Sequence, residues 1–252
     1  MTLCDLHTHT NFCDGKNSAE EMVNAAIEKG MECIGFSEHS HTPFDESYCL
    51  KGDRTAEYIA EINRLKEKYA GKIRILCGIE LDYYSDTDPK PFDYIIASVH
   101  YVKFGSEYVT IDESADILKS AADRYCRGDM YALAEKYYET VGKIKKADII
   151  GHIDLISKFN EKEHLFDESA PRYVAAYKAA VRKLVKTGAL FEINTGAISR
   201  GYKKNAYPNR NIALFIAKKG GKFILSGDAH SCDSLCFDFD RAESFMNSLT
   251  TL

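Results

Sequence analysis

The segment LCDLHTHT at residues 3–10 joins a short apolar run to two histidines, His7 and His9. The run is nearly continuously apolar, which is typical of a β-strand that is covered on both faces. Residues i and i+2 of a strand point to the same face, so the two imidazoles can bind one metal ion. The segment therefore predicts a buried strand that delivers a pair of metal ligands at its end.

The same combination of a short apolar run and polar residues recurs along the chain. The seven predicted strands are Leu3–His7, Cys33–Ser37, Ile73–Glu80, Tyr94–Val99, Asp148–His152, Leu190–Asn194 and Phe223–Gly227. Segments with helical spacing separate them. One begins at a capping box of Ser18 and Glu21, and residues 112–146 predict two helices that break near Gly128. Regular strand–helix alternation predicts an α/β fold with a closed or nearly closed barrel of parallel strands, and an open doubly wound sheet is the alternative.

Composition narrows the class of protein. The chain has 252 residues, 45% of them hydrophobic, which is enough for one large core. With 33 Lys and Arg against 38 Asp and Glu, the net charge is −5, so no global basic field attracts a nucleic acid. No apolar stretch approaches the ~20 residues of a membrane span, and the eight cysteines contain no C-x-x-C pair. We expect one barrel domain over residues 1–252, cytoplasmic, with reduced thiols and without nucleic-acid or membrane partners.

Polar residues stand where the predicted strands end. Six of the eight histidines lie there together with several carboxylates: His7, His9, Glu38, His39, Glu80, His100, His152, Glu192, Asp228 and His230. Barrels of parallel strands build their active sites at that end. Each histidine alone is accounted for by a hydrogen bond, but the joint placement predicts a polynuclear metal site. Histidine and carboxylate without thiolate suit Zn²⁺, Mn²⁺ or Fe²⁺, and paired metals with a bridging Glu80 favour phosphoester hydrolysis.

The order of these blocks resembles the PHP (polymerase and histidinol phosphatase) family. The blocks that carry the resemblance are His7–Thr10 with Asp14-Gly15, Ser37–His39, Gly78–Glu80, Ser98–His100, Gly151–Asp154, Glu192–Thr195 and Gly227–His230. They span essentially the whole chain. Residues 11–23, the length and the single-domain form are most similar to the histidinol-phosphate phosphatase branch. The resemblance implies a distorted (β/α)7 TIM-like barrel of the PHP type.

The resemblance also implies three divalent metal ions, Zn, Mn or Fe. Its ligand sets are His7, His9, Glu80 and Asp228 for one ion, Glu80, His100 and His152 for a second, and Asp14, His39 and His230 for a third. As a hypothesis, a hydroxide that bridges the metals attacks phosphorus. Catalytic roles are expected for Asp228, Glu80 and His230, and either Asp228 or a histidine of the metal site protonates the departing alkoxide.

The expected reaction is hydrolysis of L-histidinol phosphate to L-histidinol and phosphate. The resemblance implies substrate contacts by His41, Lys158, Arg200 and Ser18. Arginine can hold phosphate through two hydrogen bonds, whereas lysine provides a point charge. We expect the loops at residues 40–53 and 101–112 to set specificity. Glu107, Asp112 or Glu113 can face the substrate amine, but a solvated surface charge is the simpler explanation for each of them.

Three other functions remain open. The chain can be a PHP phosphoesterase that acts on a nucleotide or another small phosphorylated metabolite. A barrel amidohydrolase also begins with H-x-H, but such enzymes often use a carboxylated lysine as the bridge, whereas the third strand here ends in Glu80. A metal-poor PHP module without activity is the third alternative, and the complete set of ligands disfavours it. The sequence does not predict an oligomeric state.

Overall fold

The computed structural model describes residues 3–52 and 54–249. Its strands, in chain order, are β1 (Cys4–Asp5), β2 (Cys33–His39), β3 (Arg74–Asp82), β4 (Tyr94–Ser98), β5 (Tyr101–Phe104), β6 (Glu107–Thr110), β7 (Ile149–Ile150), β8 (Leu190–Asn194) and β9 (Lys222–Ser226). All but β5 and β6 form one sheet in the order β1-β2-β3-β4-β7-β8-β9, with every neighbouring pair parallel. The seven predicted strands are thereby confirmed.

The first and last strands of the sheet meet. Thr8 and Ala229 form a parallel bridge just beyond the ends of β1 and β9. The His9 amide donates to the Ala229 carbonyl at 2.8 Å, and the Ala229 amide donates to the His7 carbonyl at 3.0 Å. On the β1 side, the buried Asp5 carboxylate accepts the Gly227 amide at 2.9 Å. The sheet is therefore nearly closed as a barrel, which excludes the open doubly wound alternative.

Helices surround the barrel. They are α1 (Ala19–Glu28), α2 (Arg54–Lys68), α3 (Ala115–Cys126), α4 (Met130–Val141), α5 (Asn160–Glu163), α6 (Pro171–Leu184), α7 (Gly196–Ser199), α8 (Arg210–Lys218) and α9 (Phe239–Leu249). The predicted capping box of Ser18 and Glu21 starts α1, and the break near Gly128 separates α3 from α4. Within the described residues, none of these helices combines the length and the apolar character needed to cross a membrane.

A tyrosine fills part of the barrel interior beneath the strand ends. The Tyr94 hydroxyl donates to the Phe36 carbonyl at 3.0 Å, and the Leu6 carbonyl lies 2.5 Å from the same oxygen. A Cβ atom on Gly78 would lie 2.2 Å from the Tyr94 ring, so only glycine fits there. Apolar side chains of neighbouring strands, such as Ile96 and Ile149, complete this layer. Side chains fill the barrel interior. The polar residues at the strand ends therefore lie above a packed layer and not above an open channel.

The main difference from the sequence prediction lies in residues 101–112, which we expected to form a covering loop. This segment instead contains the antiparallel hairpin of β5 and β6, in which Phe104 pairs with Glu107. Its two-residue turn begins at Gly105, whose φ of +60° is a conformation that favours glycine. Val102 is fully buried on the inner face of the hairpin. Besides this hairpin, α5, α7 and α9 are elements that the sequence analysis did not predict.

Candidate metal centre

Nine side chains predicted as metal ligands lie together at the C-terminal ends of the barrel strands. His7 and His9 follow β1, His39 ends β2, Glu80 lies in β3, His100 follows β4 and His152 follows β7. Asp228 and His230 follow β9, and Asp14 lies in the turn between β1 and α1. Asp14 and His230 are the more accessible members, whereas the other seven are buried. Parallel strands bring these distant parts of the sequence to one edge.

Glu80 lies at the centre of the cluster. Its Oε2 atom is 2.8 Å from His39 Nδ1 and 3.3 Å from His7 Nε2. Its Oε1 atom is 2.9 Å from His152 Nε2 and 3.4 Å from His100 Nε2. One carboxylate thus faces imidazoles with both of its oxygens, which is the arrangement a bridging ligand needs.

Asp228 and Asp14 mark two further groups of donors. Asp228 Oδ1 lies 3.5 Å from His9 Nε2 and 3.9 Å from His7 Nε2. Asp14 Oδ2 lies 3.3 Å from His230 Nε2, and its Oδ1 lies 3.7 Å from His39 Nε2. Within each group, all donor atoms lie within 4.8 Å of one another. His9 belongs to the Asp14 group as well as to the Asp228 group.

The cluster fits divalent metal ions. His7 Nε2, His9 Nε2 and Glu80 Oε2 are buried, and within residues 3–52 and 54–249 none of them makes a hydrogen bond. Buried polar atoms without a partner destabilise a fold, so their concentration at one place indicates a bound group. Imidazole nitrogens and carboxylate oxygens are ligands that Zn²⁺, Mn²⁺ and Fe²⁺ accept.

The charges of the cluster depend on one another. Burial, with His230 and His39 close by, lowers the pKa of His9 to about 3, so this imidazole is neutral and has a free lone pair. Burial also opposes the protonation of His7, but Glu192, Glu80 and Asp228 outweigh it and raise the pKa of His7 well above its ordinary value. Since only neutral imidazole binds metal, an ion at this site takes the place of a proton.

Buried carboxylates support the histidines from behind. The His7 Nδ1–H group donates to Glu192 Oε1 at 2.5 Å, and Glu192 Oε2 accepts the His152 amide at 2.9 Å. Asp82 Oδ2 lies 3.3 Å from His100 Nδ1 and accepts the His100 amide at 2.8 Å. Such contacts fix which nitrogen faces the metal. The sequence analysis placed Glu192 at a strand end without a role and did not single out Asp82, whose signal is its i, i+2 spacing from Glu80.

A cavity of about 310 Å³ opens beside the cluster. Its lining joins metal-centre residues, among them Asp14, His39, His100, His152, Asp228 and His230, to residues of the surrounding loops, among them Asp45, Tyr48, Asp112, Glu113, Lys158 and Arg200. Another cavity, of about 330 Å³, lies beside α8 and α9 and is lined by none of the nine predicted ligands. The first cavity is therefore the candidate active site.

Two of the predicted substrate contacts line this cavity. Arg200 donates from Nη2 to Asp228 Oδ2 at 2.9 Å and from Nη1 to the Asp228 carbonyl at 2.8 Å. Burial opposes the charged form of Arg200, but Asp228 raises its pKa, so it is cationic. Lys158 Nζ donates to the Asp112 carbonyl at 2.6 Å and lies 3.4 Å from Asp112 Oδ2. The cavity therefore has two cations near the metal ligands.

The structure does not bring the other two predicted contacts into the cavity lining. Ser18 caps α1, and its hydroxyl donates to Glu21 Oε2 at 2.8 Å. His41 lies between Asp86 and Glu46, at 2.7 and 3.0 Å, and these carboxylates raise its pKa. Local hydrogen bonds thus engage both side chains.

Of the three acidic residues predicted to face an amine, two line the cavity. Glu107 does not, because it lies in β6 and accepts Arg124 Nη2 at 2.7 Å on the surface. Asp112 lines the cavity and is close to Lys158. Glu113 also lines it, and no hydrogen bond or ion pair links its carboxylate to another described residue. The cavity lining thus includes two acidic residues besides the predicted metal ligands.

Known proteins share this architecture. A family model described as the PHP domain matches residues 5–196. The histidinol-phosphatase of Bacillus subtilis is 27% identical over 94% of this chain and 96% of its own length. The histidinol-phosphatase of Lactococcus lactis is 29% identical over 91% of this chain and 85% of its own length. A histidinol phosphate phosphatase from Lactococcus lactis, solved with zinc, L-histidinol and phosphate, matches with a TM-score of 0.73 and 21% identity and covers 98% of this chain and 94% of that one.

Proposed function

The chain belongs to the PHP domain family, and on this premise we propose that it is a metal-dependent phosphatase that hydrolyses L-histidinol phosphate to L-histidinol and phosphate. The observation that carries the proposal is the cavity of about 310 Å³, whose lining combines predicted metal ligands, the cations Arg200 and Lys158, and the carboxylate of Glu113, which is unpaired among the described residues. A phosphate ester that also has an amine needs both kinds of group, metal donors and cations for its phosphate and a carboxylate for its amine. The names of the two bacterial relatives support this substrate.

The proposal includes three divalent ions of Zn, Mn or Fe. Glu80 would be shared between ions, with His7, His9, Asp228, His100 and His152 around it, and Asp14, His39 and His230 would hold the third. When bound, such ions neutralise phosphoryl oxygens and make water a stronger acid. The zinc in the Lactococcus lactis structure supports this choice of metals.

Arg200 orients the phosphate in this proposal. Its hydrogen bonds to Asp228 and a contact of 3.0 Å from Nη1 to His230 Nδ1 hold the guanidinium at the cavity. They leave the Nε–H group and one Nη2–H group without a partner among the described residues. Two neighbouring N–H groups on one guanidinium match two phosphoryl oxygens. Lys158 lines the same cavity and adds a second positive charge.

The ionisation of Asp228 suggests how protons move. Burial raises the pKa of Asp228, but Arg200 and His7 outweigh burial and hold it well below its usual value. An ionised Asp228 is suited to accept a proton from the attacking water, not to start the reaction as an acid. The alkoxide that leaves the phosphorus must then take up a proton. Asp228, once protonated by the water, can return that proton to the alkoxide, whereas His230 faces Asp14 and the third ion with Nε2 and contacts Arg200 with Nδ1.

The acidic residues of the cavity lining bind the amine end of the substrate in this proposal. Glu113 is exposed and free of ion pairs within the described residues, so its carboxylate can accept an ammonium group without losing a bond. Asp112 forms an ion pair with Lys158, so its carboxylate is less available to an ammonium group. Tyr48 and Tyr101 line the same cavity, and their rings can pack against an imidazole ring.

Phosphate release by the metal-loaded protein tests the proposal. L-Histidinol phosphate is expected to exceed para-nitrophenyl phosphate and adenosine monophosphate in kcat/KM by at least about 100-fold, because only the first combines a protonated aliphatic amine with an imidazole ring. Chelation should abolish activity, and Mn²⁺ or Zn²⁺ should restore it. A preference for the nucleotide would favour the alternative phosphoesterase. No hydrolysis of any ester by protein that holds metal would refute the proposal.

We further propose that a single barrel domain carries the activity and that the protein works in the cytoplasm. The eight cysteines are all free thiols, which is the usual state in a reducing compartment. Expression of the chain alone and assay of the purified protein test the first point. Fractionation of cells that produce it tests the second.

A further inference from the structure

His9 differs from the neighbouring histidines in what lies behind its ring. The Nδ1 atoms of His7 and His100 each face a buried carboxylate, Glu192 or Asp82. The only hydrogen-bonding contact that the described residues give to His9 Nδ1 is the sulfur of Cys13, at 3.6 Å. His9 is fully buried, and its Nε2 points into the metal centre without a hydrogen bond. The ring stacks on His39 and His230, with ring centroids 4.3 Å apart, and within the described residues the thiol is the group that contacts its Nδ1 atom.

A buried carboxylate lies on the far side of that thiol. Cys13 Sγ donates to Glu38 Oε2 at 2.6 Å. Glu38 is fully buried at the end of β2 and is fixed by Thr10, whose hydroxyl donates to Oε1 at 2.7 Å and whose amide lies 3.1 Å from both oxygens. The thiol proton has two carboxylate acceptors, Glu38 Oε2 at 2.6 Å and Asp14 Oδ1 at 3.3 Å. Because the proton is directed at a carboxylate in either case, the sulfur lone pairs are free to accept the Nδ1–H group of His9.

We infer that Cys13 is a positioning residue that links His9 to Glu38 and thereby keeps His9 Nε2 directed at the metal centre. The inference rests on the metal dependence proposed above. It completes a pattern in which three metal-facing histidines are each backed by a carboxylate from a strand end. For His9 the distance to Glu38 is too long for direct contact, and the thiol spans it. Groups in this position typically change metal affinity by about 10- to 100-fold.

Direct ligation by Cys13 is the competing explanation. Donor atoms of His9, Cys13 and Glu38 do lie within 4.8 Å of one another. However, Zn–S and Zn–O distances of about 2.3 and 2.0 Å would place two tetrahedral ligands about 3.5 Å apart. The observed separation between Cys13 Sγ and Glu38 Oε2 is 2.6 Å, which is a hydrogen bond. An ion there would also use His9 Nδ1 and leave Nε2 unused in the centre.

Metal affinity of Cys13 variants tests the inference. Mn²⁺ and Co²⁺ dissociation constants are measured by competition with a chelator for Cys13→Ala, Cys13→Ser and Glu38→Gln. The control is Cys126→Ala, which removes a thiol at the end of α3. Cys13→Ala should weaken affinity by about 10- to 100-fold. Cys13→Ser should remain within about threefold of the parent, since a hydroxyl donates and accepts in the same way. Glu38→Gln should be intermediate, and the control should be unchanged.

Three results would overturn the inference. The first is that Cys13→Ala binds metal as tightly as the parent protein. The second is that Cys13→Ser binds metal as weakly as Cys13→Ala while both variants retain the parent circular dichroism spectrum. The third is a thiolate-to-cobalt charge-transfer band in the parent Co²⁺ protein, which would make Cys13 a ligand. These measurements do not use substrate. A protein whose metal affinity depends on Cys13 but which leaves histidinol phosphate intact would refute the proposed function and not this inference.

Discussion

Replacement of Arg200 by alanine separates phosphate binding from the organisation of the metal centre. Arg200 lines the cavity and makes two hydrogen bonds to Asp228, of 2.9 and 2.8 Å. The variant removes both of these bonds and the two N–H groups that we assign to the phosphate. We therefore expect a rise in KM from the lost phosphate contact and a change in pH dependence from the lost neighbour of Asp228.

The size of the first effect follows from charged hydrogen bonds. One such bond contributes about 1.5–3 kcal/mol, so its loss should raise KM by about 10- to 150-fold. Arg200→Lys should recover only part of this, because an ammonium group cannot make a two-point contact. The rise should be similar for L-histidinol phosphate and for para-nitrophenyl phosphate, since both present the same phosphate group to the guanidinium.

The second effect has a definite sign. Among the groups that favour its charged form, Arg200 contributes most to the depressed pKa of Asp228. Without Arg200 this pKa rises, so the acidic limb of kcat, which needs ionised Asp228, should move to higher pH. Steady-state kinetics from about pH 5 to 9 measure both effects. Arg172→Ala is the matched control, because Arg172 forms exposed ion pairs with Asp129 and Glu135 instead. A KM within twofold of the parent for both esters would refute the assignment of Arg200 to the phosphate.

Three other changes have defined outcomes. Glu113→Gln should raise KM for L-histidinol phosphate by up to about fivefold and leave para-nitrophenyl phosphate unchanged in parallel kinetic assays, because only the first has an amine. Glu192→Gln should weaken Mn²⁺ binding by about 10- to 100-fold in chelator competition, because the neutral amide no longer supports His7; equal affinity would contradict this role. Burial raises the pKa of Asp5 to about 6, so its contribution to stability is complete below about pH 4 and is lost as the pH rises through about 6. Asp5→Asn should remove up to about 3 kcal/mol of this dependence in urea unfolding of the metal-free protein.

The sequence predicted the fold and the metal ligands well where metal-binding residue types follow an apolar run typical of a strand. Leu190–Asn194 was predicted with the bounds that β8 has, and the other predicted strands overlap those observed. The predicted positions of the histidines at strand ends follow from the same pattern, because parallel strands in a barrel share one carboxyl edge. The family blocks added Asp14, which lies in a turn and has no periodicity to reveal it.

What the sequence did not reveal depends on contacts across the barrel. The short separation between Gly78 and the Tyr94 ring joins neighbouring strands, and nothing local marks it. Cys13 packs as an ordinary small side chain in the sequence pattern, and only its distances to His9 and Glu38 give it a role. Ser18 shows the opposite case. Its capping box was recognised, and the same hydroxyl was also expected at the substrate, but it donates to the Glu21 carboxylate and accepts the Glu21 amide.

The carboxylates behind the histidines also bear on how a chain of net charge −5 holds an anionic substrate. Against the effect of burial, Glu192 and Glu80 raise the pKa of His7, and Glu80 and Asp82 raise the pKa of His100, well above the ordinary range, so the carboxylates around these histidines make the local potential negative before metal binds. A phosphate group that enters the cavity meets that potential, and Arg200 and Lys158 are the cations that oppose it. Divalent ions displace protons from the histidines and add charge at the same atoms, so they reverse the sign of the potential. Metal loading is therefore a condition for binding the substrate as well as for hydrolysing it.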